Sequence, residues 1–129
     1  MSASTRFQRL RQDRGASMVE FALILPVLVL LIFGLVEFGR GYNAQITLTH
    51  AAREGVRTLA VTKDSGEAVQ ATKDAATSLD PAQVSVSTTA CNPGSPTSVN
   101  AAYPFTYNIP LFGSNTITLT GKGVMRCGG

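Results

Sequence analysis

Hydrophobic positions along this chain change their spacing three times, and each change predicts a different element. From Phe21 to Val36 the sequence holds sixteen residues without a charge and without a polar stripe. As a helix that run is about 24 Å long at roughly 1.5 Å per residue. Counted from Ala16 it reaches about 31 Å, close to the hydrocarbon thickness of a bilayer. A core helix of a water-soluble domain carries a polar face, so the pattern predicts a transmembrane segment over residues 16–36. Pro26 lies inside it, where its missing N–H is tolerated better than in an exposed soluble helix.

Beyond Val36 the period becomes that of an amphipathic helix. Arg40, Asn43, Thr47, His50, Glu54 and Arg57 recur three or four residues apart and define a polar face. Gly41, Ala44, Leu48, Ala51, Ala52, Gly55 and Leu59 form the other side, and most are small. Small residues at that spacing let a second backbone approach closely, here the chain's own sheet or a neighbouring subunit. One helix over about residues 16–62 is expected. Glu54 and Arg57 are spaced to pair on it. "TKDSGE" (62–67) is expected to be a turn broken at Gly66, and Glu67–Leu79 a second, shorter helix ended by Asp80-Pro81.

The period then falls to two. Val84 and Val86 share a face in Gln83–Thr89. Ala101, Tyr103, Phe105 and Tyr107 share one in Val99–Tyr107. Ile117 and Leu119 alternate with threonines in Thr116–Arg126. Pro104 predicts an edge strand or a bulge, 91–98 and 108–115 are expected as loops, and Gly121, Gly123, Gly128 and Gly129 as bulges or a frayed end. The fold class expected is α+β: a long N-terminal transmembrane helix continuing into a small extracytoplasmic domain, with a short second helix and a three- to four-stranded antiparallel sheet.

Charge changes the picture only at the N-terminus. Residues 1–15 hold Arg6, Arg9, Arg11 and Arg14 against Asp13, whereas residues 16–129 hold seven basic and seven acidic groups. The net charge of +3 therefore belongs to the leader. It argues for topology, a basic segment held in the cytoplasm before a span, and against a nucleic-acid partner. The domains expected are a basic cytoplasmic leader (1–15), read as disordered, a transmembrane segment (16–36) and an extracytoplasmic domain (37–129). A cleaved secretory signal would need a small-x-small site after Val36, and "EFGRGYNAQ" offers none.

One carboxylate, Glu20, stands just before the apolar run. Charge at membrane depth is costly, so Glu20 either faces headgroups or pairs with a positive group. "RGASMVEF" resembles the processing site of type IV pilin-like proteins, with Gly15 as last leader residue and Glu20 fifth after it. More widely, "GASMVEFALILPVLVLLIFGLVEFGR" followed by "AAREGVR" resembles the TadE-like family of minor pseudopilins of tight-adherence (Flp) pilus systems. The chain departs from many pilins in having Phe21 after the glutamate and Ala16 as first mature residue. The resemblance implies cleavage between Gly15 and Ala16 by a prepilin peptidase, and pairing of the new Ala16 ammonium with Glu20. It implies the bilayer, other pilin or pseudopilin subunits and a pilus assembly platform as further partners. The location implied is the plasma membrane, single-pass, N-terminus inside and C-terminal domain outside, with entry into a surface pilus left open. The alternative is a single-pass anchored binding module that keeps its leader.

Cys91 and Cys127 are the only cysteines. In an exported domain they are expected to form a disulfide; a redox or metal role is the alternative, and with His50 the sole histidine the usual zinc set cannot be assembled. No phosphate-binding glycine loop and no paired catalytic carboxylates are present. No enzyme activity, cofactor or metal is therefore expected.

Overall fold

The computed structural model describes residues 4–128, with side chains described from Asp13 onward. Helix α1 runs Ser4–Thr62 without interruption, through Pro26. A second helix, α2, spans Ser65–Ala75. Three strands follow: β1 (Ser85–Thr88), β2 (Pro96–Ile109) and β3 (Gly113–Arg126). They form one antiparallel sheet in the order β1-β2-β3. This is the α+β layout expected from the sequence: a long apolar helix, a short second helix and a three-stranded sheet.

The helix starts earlier than expected. Its backbone is helical from Ser4, across a leader the pattern reads as disordered. Arginine, glutamine and leucine dominate that stretch, and all three are good helix formers. Continuity with a helix already nucleated removes the cost of starting one.

The lower end of α1 stands bare, and the domain hangs on its upper end. Ala44, Leu48, Ala51, Ala52, Val56, Leu59 and Ala60 are buried, all within residues 44–60. They meet Val84 just before β1, Val99 and Ala101 of β2, and Ala68 and Ala76 from the α2 region. The small face of the helix thus packs on the chain's own domain. The polar face also stands as expected, with Arg40, Asn43, His50, Glu54 and Arg57 exposed. The ion pair among the described residues is Glu37–Arg40 at 2.8 Å, not Glu54–Arg57.

Two glycines set how close the sheet comes. Gly121 and Gly123 are regular members of β3, opposite Ala101 and Val99 in an unbroken register. A Cβ at Gly121 would lie 2.6 Å from the Leu48 carbonyl oxygen, and one at Gly123 would lie 2.5 Å from that of Ala52. They are neither bulges nor a frayed end. They are the points where a strand backbone lies directly on a helix backbone, which no side chain allows. Gln45 secures the crossing by donating from Nε2 to the Thr120 carbonyl at 2.7 Å. Gly55 does the same for α2: a Cβ there would collide with the buried Thr72 hydroxyl.

The break between the helices falls at Lys63, whose φ is +60°, and not at Gly66. Asp64 caps α2, its Oδ1 accepting from the Gly66 N–H at 2.7 Å and the Glu67 N–H at 3.2 Å. Asp64 and Glu67 have the spacing of a helix-start signal, which places Gly66 inside the first turn. The helix closes at Ala75, before the Asp80-Pro81 stop expected.

Pro104 lies in the central strand, without a bulge. β1 pairs only with residues 99–102 of β2, so at Pro104 the missing N–H faces a side of β2 with no neighbour, while Thr118 of β3 stands opposite. β2 also begins earlier, at Pro96, and the 108–115 connection narrows to a tight turn between Ile109 and Gly113. The turn is closed by the Phe112 N–H donating to the Ile109 carbonyl at 3.1 Å, with Leu111 and Gly113 at positive φ.

Cys91 and Cys127 form a disulfide, with Cα atoms 5.4 Å apart and a sequence separation of 36. It ties the loop before β2 to the end of β3. The Gly128 N–H donates to the Ala60 carbonyl at 3.1 Å, which pins the same corner to the top of α1.

Candidate functional site: the bare half of the long helix

The residues singled out in the sequence lie on the part of α1 that nothing covers. Gly15, Ala16 and Glu20 are all exposed, and a Cβ at Gly15 would meet nothing within 4 Å. Ala16 and Glu20 are one turn apart and share a helix face. Among the described residues the Glu20 carboxylate has no hydrogen-bond or ion-pair partner, whereas Ser17 Oγ donates to the Asp13 carbonyl at 3.0 Å. Arg14 is exposed beside Gly15. The side chains of Arg6, Arg9 and Arg11 lie outside the described residues.

The structure therefore brings Gly15, Ala16 and Glu20 together with Arg14 on one exposed stretch, and keeps Cys91–Cys127 far from them. The disulfide sits beside Leu59 and Ala60, which at about 1.5 Å per residue is roughly 60 Å up the helix from Glu20. Its part is to hold the domain. His50, the sole histidine, is exposed on the polar face. Among the described residues no group of three or more His, Cys, Asp or Glu is placed to hold a metal ion.

Above Glu20 every large apolar side chain to Val29 is exposed, and the 18-residue window that marks this helix as long and apolar enough to cross a membrane is wholly unburied. Mean hydropathy over that window is 2.8. Soluble proteins scatter exposed apolar residues singly; a continuous apolar cylinder needs lipid or protein around it.

A ridge of the same character continues above the apolar run. Phe38, Tyr42 and Ile46 are 73%, 62% and 51% exposed, with the Phe38 and Tyr42 rings stacked at 6.3 Å. Four-residue spacing places them on one face. This ridge went unread in the sequence because the polar and small faces there accounted for the amphipathic period. The signal that would have found it is an apolar series at three- and four-residue steps, Leu31, Leu35, Phe38, Tyr42 and Ile46.

On the other side, Glu37 and Arg40 mark the upper limit of the bare segment. Arg40 sits 5.5 Å from the centre of the Phe105 ring while pairing with Glu37. Gly41 faces the same ring, where a Cβ would come within 3.3 Å. The first charged side chains above the apolar run are thus fixed against β2, at the level where the domain begins.

A long helix, bare and apolar below and clothed above by a small antiparallel sheet, defines a protein with a pilin-like layout. Its segment 15–57 is TadE-like: the family model described as TadE-like protein matches those residues, bearing out the resemblance carried by Gly15 to Arg57. A TadE-like segment suggests a role associated with the tight-adherence (Flp) pilus, and the one candidate membrane helix among the described residues fits membrane anchoring. It covers the bare helix and the lower part of its packed face, and stops short of α2 and the sheet. No curated protein and no solved structure matches the chain.

Proposed function

We propose that this protein is a minor pilin-like subunit, a pseudopilin, that takes part in assembling a tight-adherence pilus or a related secretion machine. The observation that carries the reading is the division of α1: the domain covers only its upper half, and the apolar half below presents Gly15 and Glu20 in the open. Arg6, Arg9, Arg11 and Arg14 hold the leader in the cytoplasm. The helix crosses the plasma membrane once, and the domain with its Cys91–Cys127 bond stands outside.

A prepilin peptidase cuts between Gly15 and Ala16. The first turns must open for this, since a protease binds an extended strand; glycine lowers the cost of leaving the helix. Cutting frees an ammonium on Ala16, one turn from the carboxylate of Glu20. Pairing the two, within one chain or between neighbours, neutralises both charges at membrane depth and sets the register of adjacent helices. Leu, Ile, Val and Phe side chains of the bare half then exchange lipid for other helices, and the Phe38–Tyr42–Ile46 ridge extends that contact above the bilayer.

Intact mass of the chain recovered from membranes, with and without a co-expressed prepilin peptidase, tests this reading. A chain starting at Ala16 only when the peptidase is present supports it. A full leader in both samples identifies a permanently anchored binding module instead, and a start beyond Val36 rules out both. With cleavage established, Glu20→Leu is expected to leave processing intact and to stop co-assembly with partner subunits.

A further inference from the structure

The hairpin of β2 and β3 reaches farther down α1 than a domain seated above a membrane would need to. Asn108, near its lower end, donates its N–H to Glu37 Oε2 at 3.3 Å. Glu37 is the first charged residue above the apolar run, so Asn108 marks the upper limit of that run on the hairpin. Ile109, Pro110, Leu111 and Phe112 project below it. Pro110 and Leu111 line a groove with Leu25, Pro26, Val29 and Leu30 of the bare helix. Glu37 and Leu30 are seven residues apart, about 10 Å of helix, which is how far below the first charge the groove with Pro110 and Leu111 reaches.

We propose that this tip is a second membrane-contacting element, entering the outer leaflet beside the helix, with lipid acyl chains as its occupant. The proposal rests on the reading of α1 as a transmembrane helix. Leu111 is 88% exposed and Phe112 is 79% exposed, an arrangement suited to hydrocarbon at that depth. Charge is absent from the whole region: residues 81–121 contain no Asp, Glu, Lys, Arg or His. Part of the backbone polarity of the tip is also satisfied. In lipid each unpaired N–H or C=O is expensive. Pro110 has no N–H to satisfy, the Phe112 N–H is bonded to Ile109, and Ile109 pairs with Gly113 across the turn. Above the tip the ladder continues unbroken between β2 and β3. A second apolar groove between the hairpin and the helix, lined by Gly34, Phe38, Tyr107, Ile109 and Ile117, opens above the tip and continues the same surface.

The chain has no tryptophan, so a single one reports its own surroundings. The full chain is placed in vesicles of phosphatidylcholine and phosphatidylglycerol, with or without bromine on the acyl chains, carrying F112W, L31W or V124W one at a time. Leu31 lies in the apolar run, and Val124 is exposed at the far end of β3. The F112W and L31W chains are expected to emit at short wavelength and to lose most of that emission to brominated lipid, while V124W emits as in water and is unaffected. A water-like, unquenched F112W beside a quenched L31W overturns the proposal and leaves the transmembrane reading standing. An unquenched L31W overturns that reading itself. Short-wavelength emission from F112W that brominated lipid does not touch means a protein neighbour covers the tip, which also overturns the proposal. L111W is the second probe, and the same outcomes apply to it.

Discussion

The two halves of α1 are one helix built by opposite rules. Between Met18 and Leu35 the large residues Leu, Ile, Val and Phe are exposed, except Leu30, which is half-buried beside the hairpin tip. Between Ala44 and Ala60 half of the buried positions are alanine, with Gly55 beside them, and larger Leu48, Val56 and Leu59 spaced between. In a water-soluble protein size and burial go together, because burying more apolar area contributes more. Here the upper half reverses the preference at its crossing points. Alanine and glycine are used where another backbone must come close, and stability comes from close packing over a short length. The lower half has no such partner in its own chain, so its large side chains are surface for something else. The comparison teaches which residues serve folding and which serve the surroundings, and substitutions in the two halves should separate those effects.

The largest expected effect lies in the clothed half. Replacing both cysteines (Cys91→Ser with Cys127→Ser) opens a covalent loop of 36 residues. The loop-entropy model assigns such a closure roughly 4 kcal/mol, a large share of what so small a domain has available. Urea unfolding in detergent, followed by pulse proteolysis, should show the domain lost at much lower urea while a fragment containing the bare helix survives. A midpoint shared by both parts would mean that the two halves fold as one unit.

Next comes the strand–helix crossing. Gly123→Val puts a branched side chain against the Ala52 carbonyl, 2.5 Å from where its Cβ would start. Because backbone rather than a flexible side chain must move, the cost should reach the upper part of the overpacking range, about 3 kcal/mol. Gly39→Ala supplies the contrast. No atom lies within 4 Å of a Cβ there, so the domain's unfolding midpoint should not fall, and the helix gains up to about 1 kcal/mol of propensity. Thermal melting of the two variants in one detergent checks both. Equal destabilisation would erase the difference between the halves.

These glycines show where the sequence stopped being legible. The apolar run, the long helix, the order of strands and the face shared by Ala101, Phe105 and Tyr107 follow from spacing alone, because each is a local period of two or of 3.6. Gly15 and Glu20 stand out by the resemblance of "RGASMVEF" to a pilin processing site, which is also a local motif. Gly121 and Gly123 carry no such local information. A glycine in a strand marks a bulge, a bend or a close approach, and only the position of Leu48 and Ala52, some seventy residues earlier, decides among them. The hairpin tip was read as a connecting loop because nothing near Leu111 in sequence tells how far down the helix the hairpin reaches. That depth comes from the Glu37–Asn108 contact between distant segments. Asp64 is a different case, since its spacing to Glu67 was present locally and Gly66 was given more weight as a breaker.

The smallest expected effect on folding belongs to the ridge that joins the two halves. Phe38 is 73% exposed, and its described contact is the stacking on Tyr42. Truncating it removes little from the folded chain, and Phe38→Ala should shift domain stability by no more than about 0.5 kcal/mol, as for exposed positions generally. Leu48→Ala, less than three turns above, should cost about 2–5 kcal/mol because that side chain is fully buried against the sheet. The two variants lose comparable apolar area from different surroundings. If the lower half of α1 and its ridge serve contacts with other subunits, Phe38→Ala should reduce recovery of the chain with its pilus partners after mild detergent extraction while its melting curve stays unchanged. Leu48→Ala should reduce both together, in proportion to the folded domain that remains. A Phe38→Ala chain that assembles as well as the parent would restrict the assembly surface to the apolar run below Glu37, and leave the ridge without a part in it.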